Sequence, residues 1–311
     1  MSQRLAYVNG VLVPETEASV SIRDLGLVYG DSVFDTARTF AGKLFKLEEH
    51  IDRLYQSLAY ARIDAGLSPA EMTEATLELV AANLPVLRPG EDYWVTIRVT
   101  GGVQNFDGET DRNTGATVVI DCIPIPLRAR APFFKQGIAA RLTDRRRIAP
   151  QAINPNTKTN NYLNMILAQK EISASFPGAW ALMPDANGNI AEGAGCNFFV
   201  VQDDVVLTPT TEFVLAGVSR QVVIDICATL GIPLREQDVP VELALAAQEA
   251  FFTSTSLCAC PVAFLDGQTY PGGVPGPVTQ RIMNGFAEEV GMDFVGQYLN
   301  FLSDGPPSTG L

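Results

Sequence analysis

Two short segments carry the residues best suited to covalent chemistry. The first is Asn154-Pro-Asn-Thr-Lys158-Thr-Asn-Asn-Tyr162, and the second, some thirty residues on, is Ala191-Glu192-Gly193-Ala-Gly195-Cys-Asn197-Phe-Phe. A lysine amine held neutral attacks carbonyls and carries protons, and a carboxylate placed nearby favours a protonated, electron-accepting partner. Taken singly, either residue is ordinarily a solvated surface charge. Lys158 lies between an Asn/Pro-rich loop and a helix expected from Tyr162 to Ala174, a position where a side chain can be held rigidly yet reach a cleft. Glu192 follows the turn signal Asn187-Gly188-Asn189 and a short strand, Ile190-Ala191, where the backbone bends sharply.

The elements that must hold these groups follow from periodicity. Ala6-Tyr7-Val8 and Val11-Leu12-Val13 flank Asn9-Gly10, a type I′ hairpin signal. Val33 to Phe40 reads as a strand that turns at Ala41-Gly42 into Lys43 to Phe45. Leu47, Ile51, Leu54 and Leu58 then mark one face of a helix. Ser68-Pro69-Ala70-Glu71 is a capping box with proline at the first helical position. Tyr93 to Thr100 and Ala116 to Ile123 read as strands, and Pro124 to Pro132 as a linker. Strands over Gly137 to Leu142, Ala179 to Met183 and Asn197 to Val201 follow. The expected division is 1–123, a linker at 124–132, and 133–311, with a frayed tail over Ser303 to Leu311.

Bulk properties narrow the function. The chain has 311 residues, 47% of them hydrophobic, and 22 basic against 35 acidic residues give a net charge of -13. That balance argues against nucleic acid or an anionic membrane as partner and favours a small-molecule substrate. No stretch approaches the roughly 18 apolar residues of a membrane span, and the N-terminal residues lack a signal-peptide core, so a cytoplasmic location is expected. His50 is the single histidine, which argues against most His-based triads and excludes His-rich metal sites; no metal is expected. The five cysteines (Cys122, Cys196, Cys227, Cys258, Cys260) are odd in number and scattered, so reduced thiols are expected.

From about Tyr7 to Glu288 the chain resembles the fold-type IV enzymes of pyridoxal 5′-phosphate (PLP). These include branched-chain and D-amino acid aminotransferases, (R)-selective amine transaminases and aminodeoxychorismate lyase. The resemblance rests on Glu192-Gly-Ala-Gly195-Cys-Asn197-Phe-Phe199, Leu215-Ala-Gly217-Val-Ser-Arg220 and Phe252-Thr-Ser-Thr255-Ser256, in the family's order. It implies an α+β two-domain fold with a smaller N-terminal α/β-sandwich and a larger C-terminal pseudo-barrel, and a homodimer. It also implies roles. Lys158 would be the Schiff-base lysine and proton carrier, and Glu192 the carboxylate at the pyridine nitrogen. Tyr162 resembles the tyrosine that bonds the ring oxygen. The phosphate would be met by Gly217, Val218 and Ser219 at a helix start, by Thr255 and Ser256, and by Arg53 in His50-Ile-Asp-Arg53-Leu54.

Substrate choice is less determined. Phe34 and Arg98 match branched-chain enzymes, whereas Thr36 and Thr96 stand where those carry glycine and tyrosine, and so resemble amine and D-amino acid transaminases. Arg38, Arg98 and one of Arg145, Arg146 or Arg147 are candidate carboxylate clamps, the last three reading otherwise as a solvated charge cluster. Cys258-Ala-Cys260 resembles the redox pair of mitochondrial branched-chain aminotransferases with one residue fewer between the thiols, and reads as core. The expected activity is ping-pong transfer of an amino group, from a branched-chain-like L-amino acid first, to a 2-oxo acid. The alternatives are an (R)-amine or D-amino acid transaminase, and aminodeoxychorismate lyase.

Overall fold

The computed structural model describes residues 3–106, 111–113 and 115–302. The chain divides into two compact units, one of Met1–Ile125 with Thr157–Asn161, the other of Pro126–Asn156 with Tyr162–Leu311. This differs from the division expected from sequence at one informative place: the segment bearing Lys158 clusters with the first unit.

The first unit is built on a six-stranded sheet. The hairpin expected at the N-terminus forms as β1 (Leu5–Val8) and β2 (Val11–Pro14), with Asn9 and Gly10 both at positive φ. After a one-turn helix α1 (Leu25–Tyr29) come β3 (Ser32–Phe40) and β4 (Lys43–Phe45), then helices α2 (Leu47–Ala61) and α3 (Pro69–Asn83). The Ser68–Glu71 capping box closes reciprocally at the start of α3. Strand β5 (Tyr93–Thr100), the two-stranded ribbon β6 (Gln104–Phe106) and β7 (Asp111–Asn113), and β8 (Thr117–Pro124) complete the unit. The spatial order is β2-β1-β8-β5-β3-β4. Alternation divides each strand between two faces. Val33, Val95, Ile97, Val99, Val118, Ile120 and Cys122 join the apolar face of α2 and α3 in one core. Phe34, Thr36, Thr96, Arg98 and Asp121 therefore stand on the other face.

The second unit opens with α4 (Leu127–Gln136), where a linker was expected. Leu127, Ala131 and Phe134 are buried at helical spacing, and that stripe outweighs the bond to the Arg128 carbonyl that Pro132 cannot make. In order follow β9 (Ile138–Leu142), α5 (Leu163–Ser175), β10 (Trp180–Pro184), β11 (Ile190–Gly193), β12 (Cys196–Gln202) and β13 (Val205–Thr208). Then come α6 (Val218–Thr229), β14 (Leu234–Glu236), α7 (Val241–Ala246), β15 (Glu249–Ser254), β16 (Cys258–Leu265), β17 (Gln268–Thr269), α8 (Pro277–Val290) and α9 (Phe294–Leu299). Strand β11 pairs with both β10 and β12, so β11-β10-β9-β16-β15-β12 closes into a ring, the pseudo-barrel expected from the resemblance. The ring is lined with stacked aromatics, among them Phe199 on Phe251 at 4.8 Å. Among the described residues no helix is long and apolar enough to cross a membrane. The tail Ser303 to Leu311 lies outside the described residues.

Candidate active site

Lys158 is placed by its backbone. Strand β4 pairs with only the second half of β3, at Arg38 to Phe40, and the segment 157–161 runs along the first half. Thr159 bridges Val33 in antiparallel fashion, the Phe34 N–H donates to the Lys158 carbonyl at 2.9 Å, and the Asn160 N–H donates to the Ser32 carbonyl at 2.9 Å. From α2, the Ser57 hydroxyl accepts the Lys158 N–H at 3.0 Å. Because opposed residues share a face, the lysine side chain lies with Phe34, and its Nζ stands 4.6 Å from that ring's centre.

Beneath this segment, on the core face of β3, Asp35 is fully buried. Its Oδ2 accepts from Arg53 Nε at 2.8 Å, and its Oδ1 from Arg53 Nη2 at 2.8 Å and from His50 Nδ1 at 2.7 Å. Burial alone would raise the Asp35 pKa, but the Arg53 and His50 contacts outweigh it and hold the carboxyl well below its usual range. Burial pushes the His50 pKa down, so its imidazole is neutral with Nδ1–H donated to Asp35. His50 thus braces Arg53 as its position three residues away on the helix suggested. Asp35, which anchors both, was missed; an acidic residue in an apolar strand facing a helix with His and Arg three apart was the signal available. The Ser57 hydroxyl also donates to the Arg53 carbonyl, at 3.0 Å, linking this network to the lysine backbone.

In the second unit Glu192 is 3% exposed, at the end of β11. Its Oε1 accepts from Arg147 Nε at 2.7 Å, and its Oε2 from the Leu215 N–H at 3.3 Å and Asn197 Nδ2 at 3.4 Å. Three donors from three chain segments fix this carboxylate. The arginine run is therefore not one solvated cluster: Arg145 meets exposed Glu171 and Arg146 an exposed carbonyl, while Arg147 is committed to Glu192. Sequence reasoning missed Asn197 as a holder of Glu192. The two face each other across β11 and β12, and Asn197 faces Thr253 across β12 and β15.

The segments expected to meet a phosphate lie in the same unit. Gly217 caps the start of α6, and a Cβ there would sit 2.2 Å from Asn197 Oδ1, so the helix start is packed against the group that holds Glu192. The amides of Val218, Ser219 and Arg220 open that helix without a side-chain cap. Arg220 itself is buried against the Pro209 carbonyl and Glu236. Thr255 and Ser256 form the turn between β15 and β16, where Arg130 of α4 donates to the Ser256 hydroxyl and Tyr298 of α9 to its carbonyl. Tyr162 caps α5 and packs with Ala194 on one apolar cluster. These residues fit PLP: a fixed carboxylate for a ring nitrogen, a helix start for a phosphate, and the Thr253 hydroxyl, 1% exposed and without a hydrogen-bond partner, in the Glu192–Asn197 row.

On the first unit's open face, Thr36 and Thr96 bond through their hydroxyls at 3.2 Å, and Arg98 pairs with Asp121. Arg38 is 1% exposed, stacked 3.9 Å over the Phe40 ring, with Nε donating to the Thr39 carbonyl. The five cysteines are buried and none is disulfide-bonded, with Cys258 and Cys260 both on β16.

Residues 32–264 match the model of the family described as Amino-transferase class IV. A putative branched-chain-amino-acid aminotransferase of Methanocaldococcus jannaschii is 35% identical over 285 residues, covering 91% of this chain and 95% of that one. A D-alanine aminotransferase of Bacillus licheniformis is 31% identical over 284 residues, covering 91% and 95%. Among solved structures, the branched-chain aminotransferase of Thermoproteus uzoniensis with norvaline superposes with a TM-score of 0.83 at 30% identity, covering 97% and 99%. The PLP form of the Thermobaculum terrenum branched-chain aminotransferase gives 0.81 at 27% identity, covering 97% and 98%.

Proposed function

The chain belongs to the class IV aminotransferases, enzymes that transfer amino groups with PLP, and from that premise we propose that Lys158 and Glu192 carry the reaction, with a branched-chain-like L-amino acid as favoured donor and a 2-oxo acid as acceptor. When bound, PLP supplies a carbonyl for amine exchange and a ring that takes up the electrons released at the donor's α-carbon. Lys158 Nζ takes the α-proton and returns it, as general base and then acid, and the backbone bonds to Phe34 and Ser57 keep its stem in place. Glu192 holds a proton at the ring nitrogen, and Tyr162 bonds the ring oxygen. The amides of Gly217, Val218 and Ser219 and the Thr255–Ser256 turn bind the phosphate, with Arg53 supplying charge. Phe34, Thr36, Arg38, Thr96 and Arg98 bind the substrate.

The observation that carries this reading is Glu192, a buried carboxylate held by Arg147, Asn197 and the Leu215 amide. Water would solvate an ordinary glutamate; three donors keep this one aimed. The donor reading is supported by the relative named as a branched-chain enzyme and by Phe34 and Arg98. Thr36 and Thr96, with the D-alanine aminotransferase relative, favour the second reading, a D-amino acid or (R)-amine donor. We also propose a homodimer, a reading supported by the exposed apolar residues Ile22, Leu27 and Tyr29 in the first unit, and a cytoplasmic location.

The test is the half-reaction of PLP-loaded protein with L-leucine, D-alanine and (R)-1-phenylethylamine, followed by loss of the cofactor's visible band. L-leucine should bleach it fastest; faster bleaching by either other donor selects the second reading. Lys158→Ala should abolish transfer yet keep the fold, since the segment is held by main-chain bonds. Normal turnover by that variant would remove Lys158 from the reaction. Glu192→Gln should retain cofactor and slow proton abstraction.

A further inference from the structure

The residues around Lys158 stand in two adjacent rows of the first sheet. Lys158 opposes Phe34 at the edge of β3, and Phe34 opposes Arg98 on β5, so the three share one row and one face. Arg98 lies two strand spacings from the lysine, about 10 Å between backbones. The next row is Thr36, Thr96 and Asp121. Arg98 reaches diagonally across to this row, and its Nη1 donates to Asp121 Oδ1. The Arg98 side chain remains 39% exposed and that of Asp121 15%, so the pair has its acidic end sunk into the sheet and its guanidinium toward the open face.

We propose that Asp121 determines specificity by competing with the substrate carboxylate for Arg98. This rests on the reading of Lys158 as the reacting lysine. An unpaired arginine in that row would be a full positive charge with a fork shaped for a carboxylate. Asp121 occupies part of that fork and cancels the charge, leaving the wall beside the lysine balanced. An arriving carboxylate must displace Asp121 or bind beside a like charge. A donor whose corresponding group is uncharged meets neither obstacle. Asp121 therefore weakens discrimination in favour of carboxylate-bearing ligands and opens the wall to alkyl or aryl groups and to amines lacking a carboxylate.

The experiment compares two ligands of one shape, 4-methylvalerate and 4-methyl-1-pentanol, by calorimetric titration of PLP-loaded wild type, Asp121→Asn, Arg98→Met and the double variant. Asp121→Asn should tighten 4-methylvalerate roughly fivefold, the upper range for an exposed ion pair, and leave the alcohol unchanged. Arg98→Met should weaken 4-methylvalerate alone, and in its background Asp121→Asn should have no effect. Asp121→Ser, smaller and equally uncharged, gives the same reading should the asparagine variant fold poorly. Equal changes for both ligands, or none for the acid, would overturn the competition. Wild-type holoenzyme that transfers no amino group from any donor would instead overturn the assignment of Lys158, and the inference with it.

Discussion

Replacing Asp35 by asparagine removes one negative charge from a fully buried site. Asp35 is fully buried, and the side chain of its partner Arg53 is 9% exposed. The variant keeps the shape but leaves a guanidinium buried without its counter-ion and the His50 Nδ1–H with a weaker acceptor. Breaking a buried pair from one side costs about 3–5 kcal/mol, several times what an exposed surface pair contributes. The assay is built into the chain, whose two tryptophans fall one in each unit: Trp94 on β5 and Trp180 on β10. In a Trp180→Phe background, urea unfolding followed by Trp94 emission reports the first unit alone. Asp35→Asn should lower its stability by about 3–5 kcal/mol, and Glu49→Gln, which breaks the partly exposed Lys46–Glu49 pair of the same unit, by far less. In a cycle with Arg53→Met the two losses should fall well short of additive, because the second substitution removes the charge stranded by the first. A loss below about 1 kcal/mol, or strict additivity, would show that Asp35 does not hold Arg53.

Arg147→Met should strip Glu192 of its charged donor and weaken PLP binding by about 1.5–3 kcal/mol, read as the dissociation constant of the apoenzyme titrated with PLP; unchanged affinity would make Arg147 a bystander. Gly217→Ala places a methyl against Asn197 and should cost about 1–3 kcal/mol along with cofactor affinity. His50 is the only histidine, and its pKa is lowered on folding from 6.5. Its contribution is therefore complete above pH 6.5 and is lost as the pH falls, because the unfolded chain takes up a proton that the folded chain refuses. Stability should decline below pH 6.5 with a slope of up to about 1.4 kcal/mol per pH unit, and His50→Asn should flatten it.

Much of this was legible in local sequence. The Asn9-Gly10 hairpin, the Leu47 to Leu58 stripe and the Ser68 capping box are each decided within a few residues, and each formed as read. Lys158 and Glu192 stood out through the resemblance of the runs around them to a known family; the structure adds that the Lys158 backbone bonds to β3 and that Glu192 is buried. What escaped depends on partners far along the chain. Asp35 with Arg53, Arg147 with Glu192 and Arg98 with Asp121 are 18, 45 and 23 residues apart, brought together by a helix packed on a strand, by a loop laid against a strand end and by strand register in turn. The proline-bearing stretch after Pro124 was misleading for the opposite reason: its composition says linker, and only the buried spacing of Leu127, Ala131 and Phe134 says helix.

The segment Thr157–Asn161 belongs to the first unit while the chain on both sides of it belongs to the second. The first unit is consequently not a module that gene truncation can isolate. A fragment ending at Ile125 would lack Lys158, leave the Ser32 carbonyl and Phe34 amide of β3 without their bonds, and present a bare strand edge prone to self-association. Recombining this unit with that of a relative requires three junctions, one after residue 125 and one on each side of the segment Thr157–Asn161, so the two units are expected to be inherited as a set.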